Sequence, residues 1–428
     1  MSAFLMIWSG QLVSLIGSGL TSFALGVWLY QNTGSTTLFS LFYLFVTLPF
    51  TLASPIAGVL VDRWDRRLVM ILSDTGAALC TGAIAFFLYN NHLNIWLIYL
   101  ATALISTFGA FQLPAYLAAT TQLVPKQSLE RANGLIQLAD AASNLIAPIL
   151  AGYLLGMIKL SGIILLDFAS FFVSMLTLSV ISIPKLKTSN DETNKKKSTL
   201  IQEALDGWHY IASRRGLLGL LVYMMCNNFI IYIAIILLTP LVLSFASAEN
   251  LGMITSMGGV GMLLGSLLFS LKGGLQSQIK ALFTFVFLGG LSILIAGLRS
   301  SVLLIGFASF LGFFGIPIIN SASRVIFQKK SPLHLQGRIF SFYQTSETLA
   351  LPLAAILAGI LADRIFEPLM VQDGLFANSI GQFIGIGKGR GIGLLFICLG
   401  LLLMLTTVLA YCYRPLRLVE KELPDAIN

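Results

Sequence analysis

Long apolar runs recur along the whole chain, separated by short polar segments, and each is close to the roughly 20 residues a helix needs to cross about 30 Å of hydrocarbon. No Asp, Glu, Lys or Arg precedes Asp62. The pattern predicts twelve spanning helices, at about 5–30, 38–61, 68–89, 95–119, 132–157, 162–182, 217–243, 251–271, 280–298, 302–325, 338–361 and 391–413. The opening run, Ala3 to Tyr30, has no basic segment before it and exceeds a signal-peptide core, so it is read as a retained first span.

The longest polar interruption, 184–216, divides six spans from six and carries Lys185, Lys187, Lys195, Lys196, Lys197, Arg214 and Arg215. The expected organisation is a six-helix bundle over 1–183, a cytoplasmic linker over 184–216, a second six-helix bundle over 217–413 and a cytoplasmic tail over 414–428. Within the linker, Thr199 and Gln202 have capping-box spacing, and Leu200, Ile201, Ala204, Leu205, Trp208 and Ile211 recur at helical spacing. An amphipathic helix on the anionic inner leaflet fits this pattern, and a solvated linker with one helical turn is the plainer reading.

Composition agrees with the pattern. The chain is 57% hydrophobic and 10% charged, against about 45–50% and about 25% in soluble proteins, which excludes a water-soluble globule. The net charge of +8 reflects sidedness rather than a nucleic-acid partner. With both termini cytoplasmic, 21 of the 26 basic residues fall inside, and only Lys159, Arg299, Arg364, Lys388 and Arg390 fall outside. A multi-pass protein of the plasma (inner) membrane is expected, in contact with lipids. Cys80, Cys226, Cys398 and Cys412 lie in apolar runs and show neither a disulfide framework nor metal-ligand spacing, so no cofactor or metal is expected.

Sliding the chain by 207 positions places Gln137, Asp140 and Ile149 to Gly152 on Gln344, Glu347 and Ile356 to Gly359, with Arg131 on Arg338 and Gly58 on Gly265. Spans 5 and 11 are then counterparts in two parallel, pseudo-symmetric six-helix halves, an all-α membrane architecture with its substrate site between the halves.

Between spans 2 and 3 the chain reads Gly58-Val-Leu-Val-Asp62-Arg63-Trp64-Asp65-Arg66-Arg67. This resembles the signature loop of the major facilitator superfamily, except that Asp65 stands where the family usually has glycine. The resemblance implies the major facilitator fold and a cytoplasmic gate formed by Gly58, Asp62, Arg63, Arg66 and Arg67. The residue types suit a gate: Gly58 allows close helix approach, Asp62 can reach a helix N-terminus, and the arginines can pair with carboxylates. In the other half Phe269 stands where Asp62 would be, so the gate is expected to be asymmetric. The look-alike Gly359-Ile-Leu-Ala-Asp363-Arg364 falls on the outside and reads as coincidence or as an external cap.

Four acids lie within or at the edge of spans: Asp74, Asp140, Asp167 and Glu347. An acid near the centre of a spanning helix costs about 2.5–3.5 kcal/mol, so each is a candidate for proton coupling. Asp140 and Glu347 are the preferred pair, at equivalent depths and each three residues after a glutamine. The bland reading of that pair is a structural hydrogen bond between helices. Asp74, one turn into span 3, is expected to pair with the loop arginines unless it couples protons.

Ala147-Pro148-Ile-Leu-Ala151-Gly152 is similar to the Gly-Pro motif of facilitator antiporters, with alanine at two glycine positions, and predicts a kink with close helix packing. Gly385-Ile-Gly387-Lys388-Gly389-Arg390-Gly391 imitates a phosphate loop but lacks the preceding strand and the Lys-Ser or Lys-Thr pair. Transport would then have to be driven by a gradient. His92, His209 and His334 fall in loops.

The first span Gln11-Leu-Val-Ser-Leu-Ile-Gly17, the Asp62-Arg63 loop, Leu123-Val124-Pro125 leading to Ala132-Asn133-Gly134, and the Pro148/Gly152 helix together resemble the macrolide-efflux branch of the drug:proton antiporters. The resemblance implies export of an amphiphilic compound in exchange for protons; a non-enzymatic, monomeric transporter working by alternating access is expected. The residues add a hint about the cargo: no Lys or Arg is expected deep in a span, which disfavours anions. Gln11, Ser14, Gln112, Tyr116, Gln137, Asn144, Asn227, Asn228, Tyr232, Asn320, Tyr343 and Gln344 supply neutral polar groups for a substrate cavity. Two alternatives share parts of this pattern: an exporter of a siderophore or other endogenous metabolite, and a lipid scramblase or non-transporting scaffold.

Overall fold

The computed structural model describes residues 1–125, 128–181, 207–271, 277–332 and 335–426; within these, the side chains at 59, 62, 63, 130, 269–271, 337, 338 and 341 are not described. Eleven helices among the described residues are long and apolar enough to cross a membrane. They are α1 (Ser2–Thr33), α2 (Thr36–Arg63), α3 (Arg66–Tyr89), α4 (Ile95–Leu123), α5 (Leu129–Val180), α6 (Arg215–Leu243), α7 (Ala248–Leu271), α8 (Gln278–Leu298), α9 (Val302–Lys330), α10 (Gln336–Ile360) and α11 (Arg390–Cys412).

The twelfth span is hidden inside α5. Its 52 residues, at about 1.5 Å each, would run about 78 Å if straight, far more than the bilayer core. Lys159 interrupts it, with φ 58° and ψ −179°. The contacts with α1 show a reversal there. Trp8 Nε1 donates to Leu135 O and Ser143 Oγ to Leu15 O, so the first arm runs alongside α1. Gly10 lies against Ser174 and Thr177 while Gly17 lies against Ser170 and Asp167, so the second arm runs the opposite way. Spans 5 and 6 are therefore an antiparallel hairpin packed on α1.

Polar side chains start the helices where the sequence supplies them. Ser35, Asn94, Ser277 and Ser301 accept from the first-turn amides of α2, α4, α8 and α9. Asp65, the departure from the family loop, does the same for α3, accepting from Arg67 N at 3.0 Å and Leu68 N at 3.3 Å.

The chain divides into two compact units, one of Met1–Lys187 with Phe245–Ser256 and one of Thr188–Ser244 with Met257–Asn428. In the first, α1 packs on both arms of α5, and α4 packs on α2 and α3. In the second, α8 packs on α9 and α11, and α6 packs on α10 and α11. Close approach in the second unit falls at Gly261 and Gly265, where an added Cβ would lie 2.3 Å from Phe310 O and 2.1 Å from Phe314 O. The expectation of close packing at Gly58 is corrected: a Cβ there would meet nothing within 4 Å among the described residues.

The expected outer segment and the expected tail both contain helical structure. Beyond α10 the backbone continues as a wider π-turn helix, Leu361–Phe366, which contains the look-alike Asp363-Arg364. The glycine-rich loop then closes on the chain itself, as Gly389 N and Ile392 N donate to Glu367 Oε1 at 3.0 and 3.2 Å. The amides that a phosphate would use hold an internal carboxylate instead. Residues 414–426, expected as a tail, form two short helices, Arg414–Arg417 and Val419–Glu422, with Leu416 and Val419 buried. Most of the expected amphipathic linker helix lies outside the described residues, as does His334. In its described part, Ile211 is buried and Trp208 packs against Phe342 at 5.7 Å.

Candidate functional site

Four helices of the first unit converge on Asp74. Gln112 Nε2 donates to Asp74 Oδ1, while Gln11 Nε2 and Ser174 Oγ donate to Oδ2 at 3.2 and 3.0 Å. Gln11 Nε2 also donates to Ser174 Oγ at 2.8 Å, and Gln112 Nε2 to Gln11 Oε1 at 3.0 Å. The expectation that Asp74 pairs with the loop arginines is corrected for Arg66 and Arg67. Asp74 points inward and is 5% exposed, whereas Arg66 reaches Ala118 O and Arg67 reaches Leu178 O and Ser179 O at the helix ends. The side chains of Asp62 and Arg63 lie outside the described part of the structure.

Asp167, 7% exposed, accepts from Ser18 Oγ at 3.2 Å. It shares with Asp74 a cavity of about 360 Å³, lined also by Gln11, Ser14, Ser18, Thr21, Gln112 and several aromatics. A neighbouring cavity of about 200 Å³ is lined by Trp8, Gln11, Gln112, Tyr116 and Asp140. Neither lining contains a lysine or arginine.

The preferred pair of the sequence reading occupies two different environments. Asp140 is exposed, as are Gln137 and Asn144 on the same helix. Glu347 Oε2 lies 3.9 Å from Arg324 Nη2, and Gln344 beside it is exposed. In the second unit Asn228, Tyr232 and Asn320 are half-buried. Tyr343 is fully buried with its hydroxyl 2.8 Å from Ser323 Oγ. Asn227 is 1% exposed, so it sits in the helix packing rather than in an open cavity. The second unit instead holds an apolar cavity of about 70 Å³ between α6, α8, α9 and α11, lined by residues such as Ile231, Leu238, Ile293, Phe313 and Phe396.

Close packing at Pro148 and Gly152 is present within the first unit. A Cβ on Gly152 would lie 2.7 Å from Ala248 O, one on Gly252 would lie 2.4 Å from Pro148 O, and Ser256 Oγ donates to Leu145 O at 2.8 Å.

Ser174 and Ser18 were not singled out by residue type. The signal was periodic: Gln11, Ser14 and Ser18 fall at i, i+3 and i+7 of an apolar helix, as do Asp167, Ser170 and Ser174. The first set lines the cavity throughout; of the second, Asp167 lines it while Ser170 and Ser174 pack against Gly17 and Gly10 of α1.

Helices of membrane-spanning length with buried carboxylates lining an inner cavity are features of a membrane transporter. Residues 7–355 match the Major Facilitator Superfamily, and the chain belongs to that family. It is 30% identical to Macrolide efflux protein A of Streptococcus pyogenes over 367 residues, covering 85% of this chain and 90% of the relative. It is 24% identical to the multidrug efflux pump Tap of Mycolicibacterium fortuitum, over 84% of this chain and 89% of that one. Among solved structures, the nucleoside transporter NupG superposes with a TM-score of 0.72 at 13% identity, covering 96% of this chain and 100% of that one. An inward-facing bacterial homologue of the lysosomal transporter Spinster superposes with a TM-score of 0.69 at 13% identity, covering 99% and 97%. At these identities the structures speak to the fold alone.

Proposed function

We propose that this major facilitator transporter is a secondary active exporter, exchanging a bulky amphiphilic compound, neutral or cationic and macrolide- or drug-like, for protons by alternating access. The carrying observation is the pair Asp74 and Asp167, buried in one cavity among neutral polar and aromatic side chains with no cation in the lining. A carboxylate left ionised at such depth costs about 2.5–3.5 kcal/mol, so a proton or a cationic substrate group is its natural partner. An anionic substrate would meet like charge without a compensating cation. The efflux names of the relatives support the outward direction. The charge asymmetry of the sequence supports an inner-membrane protein with cytoplasmic termini.

The test is uptake and efflux in reconstituted vesicles under an imposed pH gradient, with lipophilic cations, neutral macrocycles and organic anions as probes. Accumulation of cations or macrocycles that collapses with the gradient supports the proposal. Accumulation of anions alone, or transport indifferent to the gradient, overturns it.

A further inference from the structure

Gln11, Leu15, Gly109 and Gln112 line both of these cavities, so the hydrogen bond from Gln112 Nε2 to Gln11 Oε1, 3.0 Å long, is the polar part of the wall they share. On one side lie Asp74 and Asp167, on the other Asp140 and Tyr116.

The hydrogens of this cluster are fully committed. Gln112 Nε2 spends one on Asp74 Oδ1 and one on Gln11 Oε1. Gln11 Nε2 spends one on Asp74 Oδ2 and one on Ser174 Oγ, and Ser174 spends its only hydrogen on Asp74 Oδ2. Asp74 thus meets donors alone, which suits a carboxylate and leaves a carboxylic O–H without an acceptor. Oδ1 accepts one hydrogen bond and Oδ2 accepts two, so a proton added to Oδ1 displaces fewer donors. There it faces only Gln112. The amide can accept it by turning, which brings Oε1 to Asp74 and sets it against Gln11 Oε1, two acceptors that repel. The turned Nε2 then needs an acceptor of its own. Tyr116, four residues on along the same face of α4, has a buried hydroxyl with no hydrogen-bond partner and lines the adjoining cavity.

We propose that Gln112 is a positioning residue whose amide turns when Asp74 takes a proton, breaking the Gln112–Gln11 bridge and joining the Asp140 cavity to the Asp74–Asp167 cavity. The proton arrives on Asp74 Oδ1 and stays there as the O–H that Gln112 Oε1 accepts; no covalent bond other than this O–H changes. Among the described residues, the ionisable groups lining the two cavities beside Asp74 are Asp167 on the second arm of α5, Asp140 on its first arm and the Tyr116 phenol on α4. Arg66 and Arg67 of α3 reach backbone carbonyls at the helix ends. The inference rests on the reading of Asp74 as a group that takes a proton in the working protein.

Difference infrared spectroscopy of the purified full chain in lipid vesicles, stepped in pH without substrate or gradient, tests it. A carboxyl C=O band that is lost in Asp74→Asn identifies the proton on Asp74. In the wild type it should rise together with a shifted side-chain amide C=O band that is absent from both Asp74→Asn and Gln112→Met. Gln112→Met should keep the carboxyl band with its midpoint displaced by about one pH unit, since one hydrogen bond to the charged form is gone. If Gln112→Met does not fold, Tyr116→Phe serves, because it keeps every donor to Asp74 and removes the acceptor for the turned amide. It should then displace the midpoint and alter the amide band. A carboxyl band that rises with no amide change, in the wild type or with Tyr116→Phe indistinguishable from it, overturns the turning amide while sparing Asp74 as a proton carrier. Absence of any Asp74 carboxyl band overturns both.

Discussion

Lys330 carries its ammonium 2.8 Å from the carboxylate of Asp425, with the lysine 3% exposed and the aspartate 52%. The same nitrogen donates to Glu420 O at 2.8 Å and to Leu423 O. The Glu420 carboxylate in turn caps α8, accepting from Ser277 Oγ at 2.7 Å and from the amides of Gln278 and Ile279 at 2.9 and 3.3 Å. The last residues therefore tie together the ends of α8 and α9. Removing residues 418–428 should uncover the α8 N-terminus, costing about 1 kcal/mol for the cap alone, and lower the thermal midpoint of the purified protein by a few degrees. Lys330→Met should leave the tail cleavable by trypsin at Arg417 and Lys421. An unchanged midpoint and a protected tail would show that the clamp is dispensable.

The pair also has a pH signature. The hydrogen bond from Lys330, aided by its charge and that of Lys329, holds the Asp425 carboxyl below its ordinary 3.8. A carboxyl lowered by folding adds stability that is complete above its unfolded value and is lost as pH falls through the folded one. Tail protection should therefore weaken below pH 3.8 in the wild type, and Asp425→Asn should remove that acid-dependent step while leaving the Lys330 bonds to the two carbonyls. Limited proteolysis across the acid range reads both.

Asp74→Asn and Asp167→Asn should both abolish uphill efflux while downhill exchange persists, a loss of at least about tenfold or ~1.4 kcal/mol. They should differ in stability. An asparagine at 74 turns an amide N–H toward groups that already donate, which costs about 1–3 kcal/mol. At 167 the donor with a defined bond is the Ser18 hydroxyl, which can rotate. Vesicle transport and thermal melts separate the two effects. If both variants still concentrate substrate, coupling moves to Asp140 and Glu347, and Glu347→Gln with Asp140→Asn becomes the decisive pair.

Lys159 reverses the chain with φ 58° and ψ −179°, a region that glycine adopts freely and lysine does not. Lys159→Gly should raise stability by about 1 kcal/mol or leave it unchanged despite the added freedom of the unfolded chain, whereas Lys159→Val should lower it. Thermal melts of the three proteins check the order.

Topology is checked by labelling single cysteines in a background without Cys80, Cys226, Cys398 and Cys412. Lys195→Cys should react with an impermeant reagent only from the cytoplasm. Leu375→Cys, at an 80% exposed position, should react only from outside. The reverse pattern would overturn the proposed orientation.

The apolar periodicity of the sequence was enough for the solvent, the helical class and the number of spans, because spanning length is a local property of the chain. The signature loop carried the family for a similar reason, since its residues are consecutive. The sequence also contained the polar stripes of spans 1 and 6, but not what they face. That Asp74 meets Gln11, Gln112 and Ser174, with sequence separations of 63, 38 and 100, depends on how helices far apart in the chain rotate against one another. Packing sets that rotation, through close approaches such as Gly10 on Ser174 and Gly17 on Ser170. The same holds for the repeated acids: their matched spacing pairs Asp140 with Glu347 in the sequence, while the tertiary structure sets Arg324 beside Glu347 and leaves Asp140 exposed. The surroundings of each acid come from other helices, which its own stretch of sequence does not specify.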